Sequence, residues 1–248
     1  MHASISQSDS HDLTEADFRD RVAALTATIA ETAVQAERSP EEVRLLPVSK
    51  SFPADVVATA VRAGLTVLGE NRPLEMAEKA QVIPGVQWCI IGPVQRNKAR
   101  EVAQYAHELH SLDSLRLAET LEQRLLAADR HLDVLLQVNA SHEQAKHGLH
   151  PDEVAPLLDQ LAHLERVHVR GLMTLAAYST EETIVRSAFQ ELRELRDRLV
   201  PNLPDGMSLH ELSMGMSSDY RWAILEGSTT VRIGTAIFGH RSNSVYLK

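Results

Sequence analysis

The chain has 248 residues, 44% hydrophobic and 4% aromatic, with 25 basic against 34 acidic side chains and a formal charge of −9. That balance argues against nucleic acid and anionic membranes as partners, since both need clustered Lys and Arg, while the length suits one large domain. No apolar run approaches the ~20 residues that span a bilayer, and a single cysteine, Cys89, cannot build an internal disulfide framework, so a soluble protein of the reducing cytoplasm is expected.

Residues 1–12 are polar and lack the basic start and apolar middle of a secretory signal, which predicts a disordered tail followed by one domain over 13–248. A capping-box pattern at Thr14 and Asp17 opens a helix carrying Phe18, Val22, Leu25 and Ile29 at helical spacing. Ser39-Pro40-Glu41-Glu42 marks another short helical start. Apolar runs of strand length then recur at 43–48, 65–68, 86–91, 108–112, 132–138, 167–173, 209–213 and 229–233. Between them lie helical patterns at 54–63, 72–81, 95–106, 114–128, 151–164, 181–199 and 217–226.

Strands alternating with helices predict parallel pairing. Eight units at this length fit a closed (β/α)8 TIM barrel of the α/β class better than an open doubly wound sheet. The first strand is followed by Ser49-Lys50-Ser51-Phe52-Pro53 instead of a Gly-rich dinucleotide fingerprint, and no Walker-type phosphate loop occurs.

In such a barrel the functional residues follow the strands. Lys50 follows the first, and a partly desolvated lysine there has a lowered amine pKa and can attack an aldehyde to form an imine; taken alone, it reads equally as a solvated strand-end lysine. The loops after the seventh and eighth strands are a frequent phosphate address. Here they read Ser213-Met214-Gly215-Met216-Ser217-Ser218-Asp219 and Gly234-Thr235, giving hydroxyls and turn glycines just before a helix start, with ordinary N-capping as the alternative for the serines. Arg232 inside the eighth strand is costly to bury without a partner. It serves either to pair a carboxylate such as Glu70 or Glu211 or to donate to a bound ligand's ring nitrogen or anionic group. Lysine imine, phosphate cradle and ring-nitrogen donor together describe a pyridoxal 5′-phosphate site.

Other features carry less. The twelve histidines, His107 and His110 among them, lack paired ligand spacing with a supporting carboxylate, so no metal is expected and they read as surface residues. Cys89 reads as a small buried side chain, one of Met214 and Met216 as core packing, and Glu191, Arg193, Glu194, Arg196 and Asp197 as a salt-bridged solvated face.

At these same positions the sequence resembles the pyridoxal phosphate homeostasis protein family, often called YggS or PROSC. The matching segments run in order from P-V-S-K at 47–50, G-E-N at 69–71, I-G-P-V-Q-R-N-K at 91–98 and H-S-L-D-S at 110–114 to V-N at 138–139 and K-H-G at 146–148. They end with G-L-M-T at 171–174, L-S-M-G-M-S at 212–217 and R-I-G-T-A-I-F-G at 232–239. The resemblance implies a monomeric or weakly associating barrel of the alanine racemase N-terminal type with an extra N-terminal helix, and pyridoxal phosphate bound as an imine to Lys50. It further implies Ser213, Gly215, Gly234 and Thr235 around the phosphate, Arg232 at the pyridine nitrogen, Asn71 at the ring, and Lys146 near the entrance. Two positions depart from many relatives: Phe52 replaces a second lysine, and Pro93 a histidine.

An arginine partner leaves the pyridine nitrogen unprotonated and the ring a weak electron sink. A related racemase also uses a tyrosine as second base, brought by an added domain for which the residues after the eighth strand leave no room. The expected function is therefore a non-catalytic carrier that holds the cofactor reversibly and delivers it to apo-enzymes. A racemase-like enzyme and a sugar-phosphate barrel enzyme are the alternatives.

Overall fold

The computed structural model describes residues 13–141, 143 and 147–240, so the expected tail over 1–12 and Lys146 lie outside the described residues. Eight parallel strands alternate with helices: β1 Arg44–Pro47, β2 Val67–Glu70, β3 Gln87–Ile90, β4 Ala106–Leu112, β5 Leu132–Gln137, β6 Val167–Met173, β7 Glu211–Ser213 and β8 Thr230–Ile233. They form one sheet in the order β1-β8-β7-β6-β5-β4-β3-β2. A parallel bridge between Val48 and Gly69, with the Ser49 N–H donating to the Gly69 carbonyl at 3.0 Å, brings β1 back to β2. This is the expected (β/α)8 TIM barrel.

The helices are α1 Glu15–Gln35, α2 Ala54–Arg62, α3 Pro73–Val82, α4 Ala99–Tyr105, α5 Leu115–Ala128, α6 Pro151–Leu161, α7 Glu182–Leu199, α8 Tyr220–Leu225 and α9 Thr235–Phe238. Thr14 and Asp17 form the expected capping box, and Phe18 and Ile29 are buried. Apolar residues at three- and four-residue intervals, Leu117, Leu121 and Leu125 on α5 and Val185, Phe189 and Leu192 on α7, turn one face of each helix to the sheet. Each such buried Leu or Phe contributes about 1.5–3 kcal/mol. Most strand and helix ends fall within two residues of the sequence reading. The exceptions are the starts of α4 and α8, the end of α6, which stops at Leu161 instead of 164, and the four-residue helix α9, too short to leave a periodic signal.

Helix α1 has a local task. The Phe18 ring lies 5.4 Å from that of Phe238, which lies 5.2 Å from that of Phe52, and Arg21 Nη1 donates to the Ile237 carbonyl at 3.0 Å. The extra N-terminal helix thus braces α9 and the loop after β1, both at the C-terminal end of the barrel.

Candidate cofactor site at the barrel mouth

A cavity of about 530 Å³ opens at the C-terminal ends of the strands, a size in the range of small-molecule sites. Its lining includes Lys50 and Phe52 after β1, Asn71 after β2, Gln137 at the end of β5, Ser217 and Ser218 after β7, and Arg232, Gly234 and Thr235 in and after β8. Five of the seven residues expected to bind a cofactor, Lys50, Asn71, Arg232, Gly234 and Thr235, are thereby brought together.

The other two lie behind the lining. Ser213 is fully buried, its Oγ accepting from Arg232 Nη1 at 2.7 Å and lying 3.0 Å from His110 Nδ1. It reaches the cavity through Arg232. Gly215 has φ +95°, and a Cβ there would meet the Ala223 Cβ at 2.6 Å. The residue must be glycine for the β7 loop to turn against α8, and that turn presents Ser217 and Ser218. These serines are not caps: the N-cap of α8 is Asp219, with no side-chain capping bond, and Met216 N–H donates to Asp219 Oδ1 at 2.5 Å. Of the two methionines, Met214 is core and Met216 lines the cavity. A Cβ on Gly92 would collide with the Asn71 carbonyl, so glycine lets the β3 loop lie against the loop that carries Asn71.

Arg232 sets the electrostatics. It is 3% exposed, and its guanidinium donates to the Ser213 carbonyl and Oγ, both at 2.7 Å, and to the Thr174 carbonyl at 2.8 Å. These acceptors are all neutral, and burial lowers its pKa to about 10 despite the longer-range pull of Asp219. The carboxylates weighed as its partners are engaged elsewhere, Glu70 with Lys79 at 2.6 Å and Glu211 with Arg44 at 3.7 Å. A buried cation bonded to neutral oxygens, beside an amine and three hydroxyls, fits a ligand with an anionic group, an electrophilic carbon and a ring acceptor.

His110 corrects the surface reading. It is 1% exposed, because β4 begins at Ala106 and turns the side chain into the barrel. Its Nε2 lies 2.9 Å from Glu108 Oε2, and Glu108 in turn accepts from both ends of the Arg44 guanidinium at 2.6 and 2.7 Å. Strands β1 and β4 are not neighbours, so Arg44 and Glu108 meet across the interior. Burial keeps His110 below its ordinary pKa, hence neutral, with Nε2 donating to Glu108 and Nδ1 accepting from Ser213. Cys89, Glu108 and His110 also present ligand atoms within 4.8 Å of one another, but Glu108 is already held by Arg44, and burial raises the Cys89 thiol well above its ordinary pKa.

A larger hollow, about 750 Å³, lies at the opposite end of the barrel and contains Arg38, Arg44, Arg193 and Arg196. Those arginines are matched by Glu42, Glu108, Glu226 and Asp197. The mouth, where the cation lacks such a match, is the candidate site.

The sequence reading did not select Gln137, Ser217, Ser218 or Met216. The serines lie in the loop marked by its hydroxyls, and Gln137 falls inside the apolar run expected over 132–138, whereas β5 ends at Gln137 itself.

Residues 22–242 match the family model described as alanine racemase, N-terminal domain. The chain is 40% identical over 224 residues to a pyridoxal phosphate homeostasis protein of Pseudomonas aeruginosa, covering 90% of this chain and 95% of the relative. The solved PipY protein of Synechococcus elongatus PCC7942 with PLP bound is 33% identical, with a TM-score of 0.77 over 90% of this chain and all of that one. An alanine racemase of Clostridium difficile, 16% identical, shares the fold at a TM-score of 0.67 over 90% of this chain and 58% of its own.

Proposed function

Because the chain belongs to the alanine racemase N-terminal domain family, and among its members to the pyridoxal phosphate homeostasis proteins, we propose that the mouth cavity is where it holds pyridoxal 5′-phosphate. The protein binds this cofactor and acts in its homeostasis. The observation that carries the site assignment is Arg232, buried in the cavity with only neutral partners in hydrogen-bond range among the described residues.

Each residue has a distinct task in this reading. Lys50 supplies a primary amine, half-buried at the end of β1, and carries the covalent attachment. The cofactor brings an aldehyde with which a neutral amine condenses reversibly, releasing water. The turn at Gly215 with Ser217 and Ser218, and Gly234 with Thr235, donate to the phosphate, while Arg232 donates to the ring nitrogen and Asn71 borders the ring. Ser213 orients Arg232 from behind.

We infer holding and delivery without robust catalysis. An arginine donor favours an unprotonated pyridine nitrogen, which stabilises carbanions poorly. No tyrosine is among the described residues lining the cavity. Apo-enzymes that need the cofactor are the proposed recipients, and a cytoplasmic monomer is the form in which we expect delivery to occur. The test is titration with the cofactor: wild-type protein acquires a visible band shifted from that of the free aldehyde, whereas Lys50→Ala lacks the shifted band yet still binds more weakly through the phosphate donors. A shifted band of unchanged intensity in Lys50→Ala contradicts the assignment. Steady conversion of L- to D-alanine by the loaded wild type contradicts the carrier reading.

A further inference from the structure

A second buried cluster grips the chain on both sides of Lys50 without lining the cavity. Lys79, on α3 and 3% exposed, directs Nζ to Glu70 Oε1 at 2.6 Å, Glu75 Oε1 at 2.8 Å and the Ser49 carbonyl at 2.9 Å. Glu70 Oε1 also accepts from Ser49 Oγ at 2.6 Å, and Glu75 Oε1 accepts from the Ser51 main-chain N–H at 2.5 Å. Ser49 and Ser51 are the two neighbours of Lys50. Ser51 has φ +65°, a left-handed conformation that a residue with a Cβ keeps only where its surroundings enforce it. The bond from its N–H to Glu75 is such a constraint.

Stability alone explains the cluster poorly. Three charged groups withdrawn from water hold a fold no better than apolar side chains of the same volume. Burial, opposed by Lys79 and aided by Glu75, pushes Glu70 up to about 7, and Glu70 Oε2 is buried with no hydrogen-bond partner. What the arrangement does fix is the path of the main chain. A side chain that must meet a reacting carbon in one orientation gains from a backbone held at both neighbours.

We propose that Lys79, Glu70 and Glu75 are positioning residues for Lys50, a buried clamp on residues 49 and 51 that aims the Lys50 amine into the cavity. The proposal rests on the reading of Lys50 as the attachment residue.

Two substitutions test it. Glu75→Leu removes the acceptor for Ser51, and Glu75→Gln keeps an acceptor oxygen while removing the charge. The rate of covalent cofactor uptake, followed by visible absorbance, is expected to fall about 100-fold in the first and about 10-fold in the second, as misplacement of a reacting group by ~1 Å would produce. Placed on a Lys50→Ala background, both changes should leave non-covalent cofactor affinity within about twofold, since anchoring is a separate set of contacts. Should Glu75→Leu fail to fold, Glu75→Gln and Lys79→Met carry the same pair of measurements. Wild-type uptake rates in the folded variants overturn the clamp and leave the role of Lys50 standing. A matching loss of affinity on the Lys50→Ala background also overturns it, because the damage is then to the cavity as a whole. If wild-type protein takes up no cofactor, the site assignment falls first and the clamp with it.

Discussion

Arg44 and Arg232 lie inside the same barrel, one at each end. Arg44 meets Glu108 through both ends of its guanidinium and has Glu211 at 3.7 Å, whereas Arg232 is bonded to two carbonyls and a hydroxyl. The N-terminal end is electrostatically complete. Glu108 shows it: burial opposes its ionisation, yet hydrogen bonds from Arg44 and His110 hold it well below the usual carboxylate range. The mouth is incomplete in the same sense, since Arg232 loses basicity to burial with no carboxylate in contact among the described residues. Of the two cavities, the one whose buried cation has no carboxylate in hydrogen-bond contact among the described residues, with Asp219 acting only at longer range, is where a ligand belongs. The two ends are joined by the chain Arg232, Ser213, His110, Glu108, Arg44.

The contrast can be broken from either side. Glu108→Ala leaves Arg44 without its principal partner and His110 without its acceptor, and should cost about 3–5 kcal/mol in urea unfolding, while the folded fraction still takes up cofactor at one per chain. Arg232→Leu removes a buried cation but leaves the Thr174 carbonyl and Ser213 Oγ without their donor, so it should cost about 1–3 kcal/mol of stability, less than Glu108→Ala. Its cofactor affinity, measured by equilibrium titration, should nevertheless fall by about 10- to 100-fold, as expected for charge-assisted hydrogen bonds.

The pH dependence separates the ends further. Glu108, with a lowered pKa, contributes stability that is complete above its ordinary pKa near 4.5 and is lost as the pH falls below it. Glu70, beside the mouth and raised to about 7, behaves in the opposite way: its contribution is complete below pH 4.5 and fades as the pH rises toward 7. Unfolding free energies measured across this range should show the loss of stability on the neutral side become smaller in Glu70→Gln, while the acid-side slope survives. The smallest effects belong to the exposed hydroxyls. Ser217→Ala and Ser218→Ala should each weaken cofactor binding by about 1 kcal/mol, the value of one hydrogen bond, with no change in stability.

Much of this was legible in the amino-acid sequence because strand and helix periods are local. The eight apolar runs specified the barrel, and its geometry then assigned Lys50, Arg232 and Thr235 to one rim, to which the family resemblance added Asn71. What escaped depends on contacts across the interior. His110 looked like a surface residue until β4 turned it toward Ser213, and Ser213 looked like a phosphate ligand until Arg232 and His110 claimed its hydroxyl. Lys79 sits one helical turn beyond Glu75, a spacing indistinguishable from an exposed ion pair, and its burial follows from where α3 lies against the loop after β1.

Borohydride reduction of the cofactor-loaded protein, followed by mass analysis of its peptides, tests the central claim most directly. The account predicts that the reduced cofactor is found on the peptide containing Lys50. A cofactor label on any other lysine, with Lys50 unmodified, would contradict it.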